Sequence, residues 1–154
     1  MTAADVMADA MSEARLVAEL RFERLPPSVL GKNGRDRVVN VVHPSGRRFY
    51  KSDRAEAFKA LKTEAYYELR QQCGTQPRQY DRLTMRIHWR QAGTVPDHDQ
   101  VIARCSAVMD AAEAAGLVAD DRDVSIATPV VERVAHKHEQ ECVVRFCYAR
   151  EVTA

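Results

Sequence analysis

Two hydrophobic periods alternate along the chain. In RLTMRIHWR (82–90), Leu83, Met85, Ile87 and Trp89 take every second position, with polar or charged residues between them. Successive side chains of a strand point to opposite faces, so this period of two predicts a strand with one buried face. RLVAELRFERL (15–25) alternates in the same way and predicts a strand with Leu16, Ala18, Leu20 and Phe22 facing inward, although residues 3–21 also admit a helical period. The prolines of LPPS (25–28) end regular structure there. Two β-prone runs then flank His43-Pro44-Ser45-Gly46, and proline early with glycine late in a connection predicts a hairpin over 37–51.

From Ser52 the period changes. Phe58, Leu61, Ala65 and Leu69 recur at spacings of three and four, which predicts a helix with one buried stripe. Asp53 with Glu56 reads as its capping box and Gly74 as its C-terminal cap. A second helix is expected from about Asp99 to Ala115, with Val101, Cys105, Val108 and Ala112 as its core stripe, Ile102 and Met109 beside them, and Gly116 at its end. PVVERVAHK (129–137) and ECVVRFCYA (141–149) predict a final strand pair joined near His138-Glu139-Gln140. The order strands, helix, strand, helix, strands predicts an α+β fold, a single domain over 14–150 with two main helices packed on one mixed β-sheet. Residues 1–13, rich in Ala and Met, are expected to form a flexible N-terminal extension.

Composition narrows the function. A chain of 154 residues, 45% hydrophobic and 29% charged, has the makeup of one globular domain. No apolar run approaches the roughly 18 residues of a membrane span, and the N-terminus lacks the basic and then apolar order of a secretory signal. The four cysteines show no Cys-x-x-Cys spacing, so free buried thiols in a reducing cytosol are expected, and their spacing to His136 and His138 does not suit structural zinc. A net charge of +1 removes any bulk attraction to nucleic acid and leaves only segregated charge.

The charge is segregated. Lys32, Arg35, Arg37, Arg47, Arg48, Lys51 and Arg54 face only two acids in the same stretch, with Phe49 and Tyr50 interleaved. Such a hairpin suits a phosphate backbone, and equally a solvated charged surface. The acids cluster elsewhere, in VPDHDQV (95–101) and GLVADDRDV (116–124). In an extended chain Asp97 and Asp99 point to one side and His98 to the other. Two carboxylates held together repel unless a cation lies between them, and Mg²⁺ is typically held by one or two carboxylates plus phosphate oxygens. Asp120 and Asp121 offer further oxygens. The structural alternative makes Asp99 a helix N-cap and Asp120, Asp121 and Asp123 a solvated turn.

LPPSVLGKNGR (25–35), SGRRFYKSDRAEAFKALKTEA (45–65) and, most specifically, DHDQVIARCSAVMDAAEAAGLVADDRDV (97–124) together resemble the RusA-type Holliday-junction resolvase (crossover junction endodeoxyribonuclease) family, over residues 20–149. The resemblance implies an intertwined homodimer that nicks two strands of a four-way DNA junction in recombination and repair. It implies Mg²⁺, with Mn²⁺ able to replace it, no small-molecule cofactor, no membrane, and a bacterial cytoplasm with a phage or prophage gene. It places Asp97 and Asp99 on the family's Asp-x-Asp and Asp121 on its third catalytic carboxylate. Asp120 stands beside them as a metal ligand, and Asp110 falls on a structural helix aspartate. DNA contacts are expected from Lys32, Arg35, Arg37, Arg47, Arg48 and Lys51.

Two departures stand out. Gln100 replaces the family's asparagine, and the family's helix lysine falls on Ser106 or Ala103. They raise a second expectation, a junction-binding protein with weakened or lost catalysis. Geometry adds a third point. A helix from Asp99 to Gly116 carries the chain about 25 Å, and the five residues to Asp121 return at most roughly 17 Å. Either that helix ends early, or Asp121 serves the partner subunit's pair of aspartates.

Overall fold

The computed structural model describes residues 14–149, so the expected extension over 1–13 lies outside the described residues. The chain runs β1 (Ala14–Phe22), a 3-10 turn (Ser28–Leu30), β2 (Val38–Val42), β3 (Arg48–Ser52), α1 (Asp53–Cys73), β4 (Leu83–Ala92), α2 (His98–Arg104), α3 (Ser106–Ala114), a 3-10 turn (Asp121–Asp123), β5 (Val124–Ile126), β6 (Val130–Val134), a 3-10 turn (Lys137–Glu139) and β7 (Glu141–Ala149). The fold is α+β, with helices on a mixed sheet, as expected.

β4, the most strictly alternating segment, is the centre. β7 pairs antiparallel along one edge of it, with β1 antiparallel beyond. Along the other edge β5 and β6 both run parallel to β4, against Leu83–Met85 and His88–Ala92 respectively. Leu83, Met85, Ile87 and Trp89 are all buried, as are Ala18, Leu20 and Phe22 of β1 and Cys142, Val144 and Phe146 of β7. Onto this face pack Leu61, Ala65 and Leu69 of α1 and Ala107, Val108, Ala111 and Ala112 of α3. Small residues on α3 let the two helices come together over the sheet. The opposite face carries a charged lattice, in which Glu132 meets His88 and Arg90, and Glu19 meets Arg145.

Several expectations are corrected. The last two strands do not pair with each other. They flank β4 on opposite sides, and the chain crosses at the Lys137–Glu139 turn, where the Gln140 side chain accepts from Ala92 N at 2.9 Å. β2 and β3 stand apart as a two-stranded sheet. Leu16 is 44% exposed, because the β1–β7 register slips between Leu16 and Ala18, and a one-residue bulge turns a side chain to the other face. The N-cap of α1 is Ser52, whose hydroxyl accepts from Ala55 N, one residue earlier than the expected box. The single helix expected after Asp99 is two, broken at Cys105. There Ser106 Oγ donates to the Ala103 carbonyl at 2.8 Å, a back-bond that competes with the helical ladder and bends it.

Candidate metal and nucleic-acid site

Pro96 and the extended Asp97 bring the chain into α2. Asp97, not Asp99, is the N-cap, and its Oδ1 accepts from Gln100 N at 2.8 Å. Asp99 lies in the first helical turn with its side chain 75% exposed. Both acids suit this position, since unpaired N–H groups and the helix dipole favour negative charge. They open into one cleft of about 570 Å³, lined by Val95, Pro96, Asp97, His98, Asp99 and Val131. His98 shares that cleft instead of pointing away, because residue 98 already follows the helical and not the extended period.

The loop between β1 and β2 docks on α2. Arg104 Nε donates to the Pro26 carbonyl at 2.8 Å, and its guanidinium lies 4.6 Å from the centre of the Trp89 ring. Gly31 is buried so closely against α2 that a Cβ there would fall 2.3 Å from Gln100 Oε1. Beyond it, Lys32 Nζ stands 3.9 Å from Asp99 Oδ2. The same loop is tied to the start of α1. Arg54 donates to the carbonyls of Val29 and Gly34, and Asp36 accepts from Ser52 Oγ and Arg54 N. These bonds hold the Asp36 carboxyl below its usual range, that from Ser52 most of all. One network therefore joins the acidic start of α2 to the root of the hairpin.

The hairpin itself is open. Gly46, at φ +84°, closes its turn, and Gly46 N donates to the His43 carbonyl at 2.8 Å. Val38, Val42, Phe49 and Tyr50 are exposed, Tyr50 to 78%. Of the six expected DNA contacts, Lys32, Arg37 and Lys51 already meet Asp99, Asp53 and Glu56. Arg35, Arg47 and Arg48 have no ion-pair partner among the described residues.

The second acidic cluster is built differently. Asp120 caps the Asp121–Asp123 turn, accepting from Arg122 N at 2.9 Å, and the Arg122 guanidinium grips it at 3.2 and 3.0 Å. The guanidinium and the Arg122 N–H, with a bond from Asp121, hold the Asp120 carboxyl down at about 2. Asp121 moves the other way. Its hydrogen bond with Asp120 raises it, followed by lost hydration and by the charges of Asp120 and Asp110. Like charges side by side cannot both ionise freely, so one carboxyl falls and the other rises. Arg122→Gln is expected to bring Asp120 back towards the ordinary carboxylate range, read by carboxyl ¹³C shifts against pH. An unmoved Asp120 would remove the Arg122 guanidinium as the cause and leave its backbone N–H.

Asp97 and Asp99 are thus brought together, and so are Asp120 and Asp121, but as separate groups. Asp121 senses Asp110, which lies on α3, beyond the break at Cys105 from the Asp97–Asp99 pair. Among the described residues, no three His, Cys, Asp or Glu side chains converge as a cation cage. The α2 pair alone still fits a hard cation. Asp97 keeps one oxygen outside its cap, Asp99 is open to solvent, and Mg²⁺ needs only one or two carboxylates when waters and phosphate supply the rest. Sequence reading missed the Lys32–Asp99 pair and the Arg122 clamp. The arginine two residues after Asp120 was a usable signal, since an aspartate readily bonds the backbone two residues on.

Comparison of the chain with protein-family models, curated proteins and solved structures finds no match.

Proposed function

We propose that the protein is a Mg²⁺-dependent endonuclease of branched DNA, acting at four-way junctions, as the resemblance to RusA-type resolvases implies. The observation that carries this reading is the Asp97–Asp99 pair at the mouth of a cleft, joined through the 26–37 loop to a projecting basic hairpin. Acids that face a scissile phosphate need cations elsewhere to hold the polyanion. Arg35, Arg47 and Arg48 are open to do that, and a two-stranded ribbon has the width to enter a major groove. Tyr50 and Phe49 offer exposed aromatic surface for sugars or bases. Asp97 and Asp99 would hold the cation, which supplies Lewis-acid polarisation of a phosphate and a bound water of lowered pKa. Asp121 would join the site across an intertwined homodimer, since within one chain it does not line the cleft of the Asp97–Asp99 pair. Among the described residues no helix is long and apolar enough to cross a membrane. A bacterial cytoplasmic protein of phage or prophage origin belongs to the same proposal.

The test is nicking of a synthetic four-way junction with Mg²⁺ or Mn²⁺, against a linear duplex of the same sequence. Paired nicks at the junction are expected. A second reading, a junction-binding protein without catalysis, is favoured by one observation: in a single chain only two of the four expected carboxylates meet at the cleft. Binding without cleavage in either metal, from pH 6 to 9, would select it.

The hairpin gives a separate expectation. Arg47→Ala with Arg48→Ala should weaken binding to all DNA sequences. It should also flatten the salt dependence of log affinity by about 1.8, two contacts at about 0.9 each. An unchanged slope excludes the hairpin from the interface.

A further inference from the structure

We infer that Lys32 is the cation of the α2 site, a phosphate-positioning residue carried in from outside the helix and held in reserve on Asp99. The positions where the resemblance expects a helix lysine do not provide one. Ala103 has no charge, and Ser106 spends its hydroxyl on the Ala103 carbonyl where the helix breaks. Arg104, the one arginine or lysine on α2, is withdrawn from the cleft. It is half-buried over Trp89 and bonded to Pro26, and burial lowers its pKa. Among the described residues, Lys32 alone places a cationic nitrogen within 4 Å of either aspartate of the pair.

Its position follows from the chain on both sides of it. Leu30 is buried in the core, and Gly31 lies against the tip of the Gln100 side chain, which a Cβ there would displace, and close to the Ser28 carbonyl. Gly34, two residues beyond Lys32, accepts from Arg54. The backbone is held before and after residue 32, so the lysine can reach Asp99 although its side chain is 65% exposed. An exposed ion pair of this kind is weak and exchanges readily. A divalent cation on Asp97 and Asp99 would compete for the carboxylate that Lys32 now touches. Displaced from Asp99, the ammonium would be free to meet the other anion of the reaction, the phosphate. Gln100, the residue that departs from the resemblance, is then the surface against which Gly31 fits.

The inference rests on the endonuclease reading for its catalytic half only. The test uses the full chain with Lys32→Met and Lys32→Arg in three measurements. Mn²⁺ binding without DNA is followed by electron paramagnetic resonance. Junction affinity is measured in Ca²⁺, and single-turnover nicking in Mg²⁺. Lys32→Met should bind Mn²⁺ more tightly, on the order of fivefold, because the competing charge at Asp99 is gone. It should also bind the junction more weakly and nick it roughly tenfold or more slowly. Lys32→Arg should restore binding and nicking. A residue that merely supports the fold would weaken metal and junction binding together. Unchanged or weaker Mn²⁺ affinity in Lys32→Met overturns the inference, whether or not the chain nicks DNA. A wild-type chain that never nicks overturns the endonuclease reading, and the Mn²⁺ measurement still decides for or against Lys32.

Discussion

Asp99→Asn is expected to abolish junction nicking in Mg²⁺ while leaving junction binding equal or tighter. The substitution keeps the shape of the side chain and changes its charge. Asp99 is exposed, and its carboxylate contacts only Lys32 among the described residues, so the fold should not notice. The helix start is also spared, because the capping bond belongs to Asp97. What disappears is a hard oxygen ligand beside the scissile phosphate, and the loss should reach on the order of a thousandfold or more. A repulsion against phosphate disappears too, worth about 1 kcal/mol for unit charges 4 Å apart in water. Nicking gels and gel-shift titrations on the same junction read the two effects separately. Cleavage at the wild-type rate would remove Asp99 from the chemistry. Loss of binding along with cleavage would make its role structural.

Trp89→Ala should be the most damaging single change to the fold, by about 3–5 kcal/mol. Trp89 is fully buried at the middle of the central strand and is the largest side chain in the core. Its indole N–H donates to Gln91 Oε1 at 2.9 Å, and its ring carries the Arg104 guanidinium. Removing it leaves a cavity, an amide oxygen without its donor and a half-buried cation without its platform. Against a total stability of roughly 5–15 kcal/mol, a loss of that size unfolds much of the population under mild conditions. Arg104 sits between Trp89 and Pro26, so the damage should reach the loop that presents Lys32. Urea unfolding must be followed by circular dichroism, since Trp89 is the only tryptophan. A loss below 1 kcal/mol would mean that the site collapses around the gap without cost to α2.

The sequence by itself determined the elements whose burial repeats. The period of two at Leu83–Trp89 and the spacing Leu61, Ala65, Leu69 name a strand and a helix because one face of each must leave water, and both are found there. Its turn chemistry located the hairpin at Gly46 and the helix end at Gly116. It also marked Asp97 and Asp99 as one group, since two acids that close in the chain cannot be far apart in any conformation. What it could not determine depends on contacts between distant residues. A period of two says that a strand has a partner but not which one. Only the packed sheet sent β6 and β7 to opposite edges of β4, and only the β7 register turned Leu16 outward. The break at Cys105 depends on one hydroxyl choosing one carbonyl. The approach of Lys32 to Asp99 spans 67 positions and depends on Gly31 meeting Gln100. Local pattern carries the identity of an element, because its cause is the one-sided loss of water. Partners, register and the company a charged side chain keeps come from the close packing of segments that the chain order leaves far apart.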